Sequence, residues 1–511
     1  MPTDTTANNK RIAKNTVMLY IRMLFNLLIG LYTSRIVLKT LGIEDFGIYN
    51  VVAGIVTMIG VVNSAMSVAT QRYLTFNLGK KDTEALNKTF NISLTIYLWI
   101  SLIFFVLAEV IGVWFLNTYL NIPPERMVAA NCIFQFAVFS MICSFLYTPY
   151  FSSIIAHEHM SIYAYVSITE SILKLVIVYY LVFTPFDRLI MYGGLYFCVS
   201  VFVFIAYRYY CVRHFVECRF VVYKDKAMYK EIISYSGWSL FGALAGIARE
   251  QGLNILLNIF FSPVVNAARG IASQVNTAAS MFFGNFTMAT RPQITKYYAQ
   301  EDYNNMNQLV FQSSKFSFFL LWLIALPILI ETPAIINFWL GQTPEYVVQF
   351  TRIILIITAV DSISGSIMTV CHATGKIKMY QFVVGMINIM VVPISYLVLK
   401  FGYPPVSVFV VSLFLTCIAT VARLYITKIL VPEFLLMGFI TKVLLVSIVV
   451  SFLSSCLPCV VSHMCKQSFL TTFLTICLTL FSTLATIYLV GINKAERNYL
   501  TNLFKTKILN R

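Results

Sequence analysis

Long apolar runs alternate with short polar segments along the whole chain. A helix that crosses a bilayer needs about 20 predominantly apolar residues, and the chain has about fourteen runs of that length. We therefore predict an all-α polytopic membrane protein. The predicted spans lie near 15–38, 46–69, 89–113, 129–151, 161–183, 191–211, 232–258, 267–290, 312–332, 348–371, 380–400, 406–426, 437–459 and 469–491.

Composition excludes a soluble globular domain. Hydrophobic residues make up 59% of the chain and charged residues 11%, whereas soluble domains are about 45–50% apolar and about 25% charged. The N-terminus has a polar segment and then a full-length apolar run. It lacks the short hydrophobic region and small-residue cleavage site of a signal peptide, so we expect the first span to be retained.

An internal repeat divides the chain. The segment ATQRYLTFNLGKKDTEALNKTF at 69–90 aligns with ATRPQITKYYAQEDYNNMNQLVF at 289–311, and each follows the second span of a six-span group. At one constant offset the segments share Ala69/Ala289, Thr70/Thr290, Asp82/Asp302 and Asn87/Asn307. We predict two pseudo-symmetric six-helix lobes, 1–218 and 219–430, and two further helices with a basic tail at 431–511. Equivalent spans run in the same direction, so the repeat axis is normal to the membrane.

Four spans in repeat-related positions carry their polar residues on one face, with residues placed about 100° apart around each helix. These residues are Arg22, Asn26, Gly30 and Thr33 in span 1; Asn50, Thr57, Gly60, Ser64, Ser67 and Gln71 in span 2; Glu250, Gln251, Asn254 and Asn258 in span 7, with Arg249 just outside the arc; and Arg269, Ser273, Asn276, Thr277, Ser280 and Gly284 in span 8. Small and polar residues also mark ordinary helix contacts in membranes. Four related stripes favour a polar cleft between the lobes, while packing remains the alternative for any single stripe.

The distribution of the basic residues behind the net charge of +16 indicates how the chain is oriented in the membrane. The side of the membrane that holds the N-terminus carries 26 of the 37 Lys and Arg residues, the opposite side carries 6, and 5 lie within spans. An excess of Lys and Arg marks cytoplasmic loops, so we predict that both termini are cytoplasmic. On that side the C-terminal tail contributes Lys494, Arg497, Lys505, Lys507 and Arg511. The basic charge therefore gives no indication of nucleic-acid binding.

Arginines within the spans indicate an anionic substrate. An arginine at the centre of a membrane helix costs about 2.5–3.5 kcal/mol on insertion scales, and its planar fork suits phosphate oxygens. We predict that Arg22, Arg249 and Arg269 bind the substrate, together with Asn26, Ser64, Gln251, Asn254, Asn258, Ser273 and Asn276. Two alternatives remain open: Arg249 pairs with Glu250, or Arg269 snorkels from a span end.

Three acids within spans are candidates for ion coupling. Asp361 ranks first because no basic residue lies within one helical turn of it in sequence. Glu170 ranks second because Lys174 stands at i+4, where a simple ion pair is the alternative. Glu250 ranks third because Arg249 adjoins it.

Two motifs suggest metal or redox chemistry only weakly. The run His157-Glu158-His159 lacks HExxH spacing, and Cys456-Leu-Pro-Cys459, with His463 and Cys465 beyond it, is a single CxxC at a helix end. The chain also lacks a P-loop and a nucleophile elbow. We predict no metal, no cofactor and no enzymatic activity.

Several motifs resemble the Wzx-type O-antigen and capsular polysaccharide flippases of the multidrug/oligosaccharidyl-lipid/polysaccharide (MOP) exporter superfamily. They are Trp238, QGLNILLN at 251–258, NAARGIA at 266–272, RPQI at 291–294 with Lys296, and WLG at 339–341. The resemblance implies a MATE-like fold whose cleft is lined by spans 1, 2, 7 and 8. It also implies alternating access and exchange against H⁺ or Na⁺.

The function implied by this resemblance is flipping of undecaprenyl-diphosphate-linked oligosaccharides across the bacterial cytoplasmic membrane. It would supply O-antigen, lipopolysaccharide or capsule biosynthesis, with association with the polysaccharide polymerase and chain-length machinery. A multidrug or lipid II exporter of the same superfamily is the first alternative. A membrane oligosaccharide polymerase or ligase is disfavoured, because the chain has no large extracytoplasmic loop.

Overall fold

The chain is helical throughout the part that the computed structural model describes, namely residues 2–120, 122–261, 263–341, 343–464, 468–493 and 496–497. These residues form helices and no strand, which confirms the predicted all-α fold. Most of the predicted basic tail, including Lys494, Lys505, Lys507 and Arg511, lies outside the described residues, as does Cys465.

Contacts divide the helices into two compact units. The first runs to Leu244 and also includes Thr295–Glu301, while the second contains Ala245–Ile294 and the chain from Asp302 onward. The lobe boundaries at residues 218 and 430 stay predictions.

The first unit begins with a long helix that is broken by a glycine. Gly42 has a φ of 81° and a ψ of 170°, a conformation that glycine adopts at little steric cost. The helices of this unit are α1 (Pro2–Thr57), α2 (Gly60–Lys80), α3 (Thr83–Leu107), α4 (Val113–Tyr119), α5 (Met127–Ala156), α6 (Met160–Phe183), α7 (Arg188–His214) and the start of α8 (Lys226–Phe260). A π-helical turn at Ala108–Gly112 joins α3 to α4.

The second unit holds the remaining helices around an apolar core. They are α9 (Pro263–Ala299), α10 (Tyr303–Ile330), α11 (Thr332–Leu340), α12 (Val347–Ala373), α13 (Lys378–Lys400), α14 (Ser407–Leu430), α15 (Leu436–Phe439), α16 (Leu445–Met464) and α17 (Phe469–Thr486). Leu257, Ala268, Phe350 and Val408 are fully buried in the core. α16 and α17 pack on α10, where Lys315 pairs with Glu496 at 2.7 Å.

Residues that match across the repeat have equivalent structural roles. Asp82 caps α3 and Asp302 caps α10, each accepting a hydrogen bond from the backbone N–H three residues on, at 2.9 and 3.1 Å. Asn87 binds the segment that follows α7, and Asn307 binds the segment that follows α14. The conserved spacing in the two halves therefore places the same caps and tethers in both.

Among the described residues, eleven helical segments are long and apolar enough to cross a membrane. The chain is a multi-pass membrane protein. The prediction of about fourteen exceeds this count at three positions, 46–69, 232–258 and 267–290. These spans fall on α1–α2, α8 and α9, which carry the polar stripes. The stripes of α8 and α9 lower their apolar content, although these helices have 35 and 37 residues and are long enough to span at about 1.5 Å per residue. The span at 46–69 is instead divided between α1, which ends at Thr57, and α2, which begins at Gly60.

An ion cluster joins three segments of the first unit around Arg126, in the turn before α5. Arg126 donates from Nε to Asp45 at 2.8 Å, and its other nitrogens reach Asp45 and Asp187. Burial opposes ionisation of Asp187, but the backbone N–H of Ile190 and the Arg126 guanidinium outweigh it, so the pKa of Asp187 lies below its usual value.

The Asp187 carboxylate should stabilise the protein only where it is ionised. Because its folded pKa is depressed, its contribution is full above the unfolded value of about 3.9 and is lost as the pH falls through the folded value. We expect Asp187→Asn to lower the melting temperature at pH 7, by a small amount because partly exposed pairs contribute about 0–1 kcal/mol. Thermal-shift curves across pH should show this difference shrinking on acidification. Glu125→Gln, at an exposed neighbouring position, should show no such trend, and a gap that persists at the lowest pH would contradict the assignment.

Candidate functional site

A polar cavity of about 260 Å³ lies within the second unit, between α8, α9, α12 and α14. Six of the predicted site residues line it: Arg249, Glu250, Arg269, Ser273, Asn276 and Asp361. Helix α8 contributes the first two, α9 the next three and α12 the aspartate. The structure thus brings together candidates for substrate binding and for ion coupling in one place.

Two arginines share one carboxylate in this cavity. Arg269 donates from Nη2 to the Glu250 carboxylate and to the Glu250 backbone oxygen, both at 2.8 Å. Arg249 Nε lies 3.9 Å from the same carboxylate, and its Nη1 donates to Asn388 at 3.1 Å. The Glu250 side chain is 56% exposed, whereas Arg269 is 10% exposed. The carboxylate therefore reaches solvent, whereas the guanidinium is enclosed by the protein.

Both arginines keep unused donors. In the described part of the chain, Nε of Arg249 and Nε of Arg269 are buried without a hydrogen-bond partner. An unsatisfied buried donor costs about 1–3 kcal/mol, and more when it is charged. The cavity is therefore suited to an anion that accepts several hydrogen bonds at once.

Asp361 has a cation partner that the sequence did not reveal. Arg423 on α14 donates from Nη1 to Asp361 at 3.1 Å, and the Arg423 side chain is 9% exposed. Asp361 therefore has a basic neighbour in the structure, although it has none close by in the sequence. One turn before Asp361 on α12, the Thr358 hydroxyl donates to Asn276 of α9 at 2.5 Å. Asp361 stays a candidate for ion coupling, now as one half of an ion pair.

The other predicted residues of α8 lie away from the cavity. Gln251 and Asn258 are exposed and Asn254 is half-buried, and none of the three is among the residues that line it. The cavity is thus centred on the Arg249 edge of the predicted stripe. Their role in substrate binding stays a prediction.

The candidates of spans 1, 2 and 5 make contacts inside the first unit. Arg22 stacks on the Tyr163 ring, 4.3 Å from its centroid, and binds its hydroxyl. Asn26 donates to Ser167 at 2.8 Å, and Ser64 is exposed. These contacts of Arg22 and Asn26 match the packing alternative for the first stripe, and a cleft shared by spans 1, 2, 7 and 8 stays a prediction.

Glu170 and Lys174 form the ion pair that their spacing predicts, with 2.6 Å between Oε1 and Nζ. A carboxylate that sequence reasoning missed is Glu109, in the π-helical turn after α3. Gln135 donates to one of its oxygens at 3.1 Å, and the other is buried without a partner in the described residues. An acid inside the predicted span 89–113 was the signal that could have found it.

The residues of the two weak metal motifs make separate contacts in the structure. His157 lies 2.6 Å from Glu217 and His159 lies 2.8 Å from Tyr210. Glu158 binds Arg11 and Lys296 instead. Cys456 and Cys459 are free and exposed, and the side chain of His463 is not described. No group of three or more metal-binding side chains occurs among the described residues.

Comparison with known proteins places the fold. Residues 19–180 match the MatE family model. An outward-facing multidrug resistance MATE family transporter of the MOP superfamily matches with a TM-score of 0.72 and 12% identity, over 83% of this chain and 95% of that one. The fold is that of a MATE transporter. Another MATE structure, in the straight conformation, matches with a TM-score of 0.71 and 12% identity, over 83% of this chain and 96% of that one.

A third MATE-like structure is a MOP superfamily transporter from Pyrococcus furiosus, described as having a binding pocket of reverse polarity that suggests a different function. It matches with a TM-score of 0.69 and 12% identity, over 84% of this chain and 96% of that one. No curated protein matches the chain in sequence.

Proposed function

We propose that the protein moves an undecaprenyl-diphosphate-linked oligosaccharide across the bacterial cytoplasmic membrane by alternating access, with both termini in the cytoplasm. The observation that carries this proposal is the cavity in which Arg249 and Arg269 share the half-exposed Glu250. The MATE fold and the match of residues 19–180 to the MatE model support transport in general. The paired guanidinium forks, which suit phosphate oxygens, support a diphosphate substrate.

In this proposal the diphosphate replaces Glu250 on the arginines. Glu250 is exposed enough to turn into water, while Arg269 is held in place by the Glu250 backbone oxygen. The cavity of about 260 Å³ is slightly smaller than the pockets of about 300–1,000 Å³ that enclose small molecules. We therefore assign only the charged headgroup to it, with the sugars and the prenyl chain outside.

Energy would come from an ion gradient, since one charge crossing the membrane is worth about 2.3 kcal/mol per 100 mV. Asp361 is our first candidate for the H⁺ or Na⁺ site, because it lines the same cavity as the two arginines. Binding of a cation to its carboxylate would release Arg423, which could then join the anion. Glu170 and Glu250 remain the second and third candidates.

A multidrug exporter is the second candidate function. The multidrug resistance transporter that shares the fold favours it. Pocket polarity is the feature that we use to choose between the two, since the Pyrococcus furiosus transporter is described as having a binding pocket of reverse polarity that suggests a different function. The cavity is lined by two arginines and two acids, and one of these acids, Asp361, already pairs with Arg423. The remaining excess of guanidinium favours an anion over the organic cations that an acidic pocket would select.

Transport by purified protein in vesicles tests the proposal. A fluorescent undecaprenyl-diphosphate oligosaccharide should cross the membrane faster under an imposed pH or sodium gradient, and Asp361→Asn should remove most of that dependence. Glu345→Gln, an exposed acid before α12, is the matched control and should keep it. Transport of a cationic dye without transport of the diphosphate lipid would favour the multidrug function. An unchanged gradient dependence in Asp361→Asn would discard Asp361 as the coupling residue.

A further inference from the structure

A second, larger depression lies on the other side of α12. This groove encloses about 920 Å³ and is formed by α10, α12, α14 and α16. Helix α12 separates it from the polar cavity, because Ile356 and Val360 line the groove while Ile357 and Asp361 line the cavity. The groove wall is mainly apolar, and large side chains such as Phe452 stand at it with most of their surface exposed.

One cation stands at an end of this groove. Arg352, near the start of α12, is exposed and donates only to neutral oxygens, from Nε to the Thr332 hydroxyl at 3.2 Å and from Nη2 to the Ile330 carbonyl at 3.3 Å. It forms no ion pair with another described residue, and its Nη1 has no hydrogen bond to one. The neighbouring Glu331 is buried and accepts hydrogen bonds from Ser462 and Thr472 instead.

We propose that this groove binds an anionic phospholipid, with its phosphate on Arg352 and an acyl chain along the apolar wall. A cation that has no ion-pair partner among the described residues, and that lies beside an apolar surface, matches a ligand with one charged end and one apolar end. From Arg352 to Ile363 the groove follows eleven residues of α12, or about 16 Å at about 1.5 Å per residue. That length is half of the bilayer core of about 30 Å, the depth of one leaflet.

The groove and the polar cavity lie on different sides of α12. This arrangement favours a membrane phospholipid over the lipid tail of a transported substrate as the occupant of the groove. A substrate whose diphosphate lies on Arg249 and Arg269 would have to pass its chain across α12 to reach the groove. A phospholipid carries its own phosphate and reaches Arg352 directly from the bilayer. The groove site therefore holds whether or not the proposed function is correct.

Lipid retention tests the site without any transport assay. We would incubate the detergent-purified protein with vesicles of phosphatidylglycerol and phosphatidylcholine, then measure bound lipid by native mass spectrometry. The wild type should retain phosphatidylglycerol preferentially, and Arg352→Gln should weaken that retention about tenfold, since hydrogen bonds to charged groups are among the stronger ones. Lys400→Gln, an exposed cation at the end of α13, should leave it unchanged.

Filling the groove separates the apolar part of the site from its charge. Ser455 is a half-buried residue of the groove wall, so Ser455→Trp should fill part of the groove and reduce retention while Arg352 stays intact. Equal retention of phosphatidylcholine, or full retention of phosphatidylglycerol in both groove variants, would overturn the proposal. Tighter, Arg352-dependent binding of undecaprenyl phosphate than of phosphatidylglycerol would also overturn it, because the occupant would then be the lipid carrier of a substrate.

Discussion

Arg269→Ala should reduce transport of a diphosphate-linked lipid by at least about 30-fold while the protein remains in the membrane. Truncating one partner of a buried, hydrogen-bonded charge pair costs about 2–5 kcal/mol, and about 1.4 kcal/mol corresponds to tenfold. Arg269 is the most buried charged group lining the cavity and donates twice to Glu250. With substrate bound, the charge left unpaired is the diphosphate. In the free protein the loss strands no buried charge, because the Glu250 side chain is 56% exposed and can turn into water. Initial transport rates in vesicles, normalised to the amount of folded protein, measure the effect.

Three further variants distinguish a loss of substrate binding from a loss of protein stability. Arg269→Lys should recover only part of the activity, since a point charge replaces a fork. Glu250→Gln should bind the diphosphate more tightly than the wild type, because it removes the carboxylate that competes for Arg249 and Arg269. Arg22→Ala should mainly lower stability through its lost stacking on Tyr163. Normal transport by Arg269→Ala at native abundance would remove the assigned anion site.

The fold could be predicted because each membrane helix is encoded by a local run of apolar residues. A lipid-facing helix must be apolar along its length and satisfies its backbone internally, so run length alone located the helices. Two of the three uncounted spans, on α8 and α9, are striped helices whose apolar content is low. A polar stripe that identifies a buried or cavity-lining face necessarily weakens the signal by which the span itself is recognised.

The candidate site was predictable where it rests on helical periodicity. Arg269, Ser273 and Asn276 stand on one face of α9 and line one cavity, as a 3.6-residue period requires. Periodicity could not show that Arg249 and Glu250, rather than Asn254, turn to the same cavity. The rotation of α8 depends on what packs against it, including Asn388 of α13, which receives a hydrogen bond from Arg249.

Partners from distant helices could not be found by any local rule. Arg423 lies 62 residues from Asp361 and pairs with it only because α12 and α14 pack together. The same limit applies to the His157-Glu158-His159 run. Its spacing showed that a metal site was unsupported, but not that Glu158 would bind Arg11, 147 residues away.

Glu158 is the most consequential of these distant contacts. Its side chain is fully buried between α5 and α6, with Arg11 Nε at 2.7 Å and Lys296 Nζ at 2.6 Å, and Asn15 donates to its backbone oxygen at 3.1 Å. It therefore ties together α1, the turn between α5 and α6, and the end of α9, all within the first unit. Lys296 is itself only 16% exposed, so it depends on this carboxylate for its charge partner.

Glu158→Ala should lower the free energy of unfolding by about 3 kcal/mol or more, because removing one partner of a buried pair costs about 3–5 kcal/mol. Glu158 also has a left-handed backbone, with a φ of 63°, which costs a non-glycine residue about 1–2 kcal/mol. Glu158→Gly should therefore lose the same ion pairs yet be less destabilised than Glu158→Ala, and Lys296→Met in the Glu158→Ala background should restore part of the loss by removing the stranded cation. Melting temperatures in detergent give this order directly. A Glu158→Ala protein as stable as the wild type would show that the buried carboxylate does not hold these three segments together.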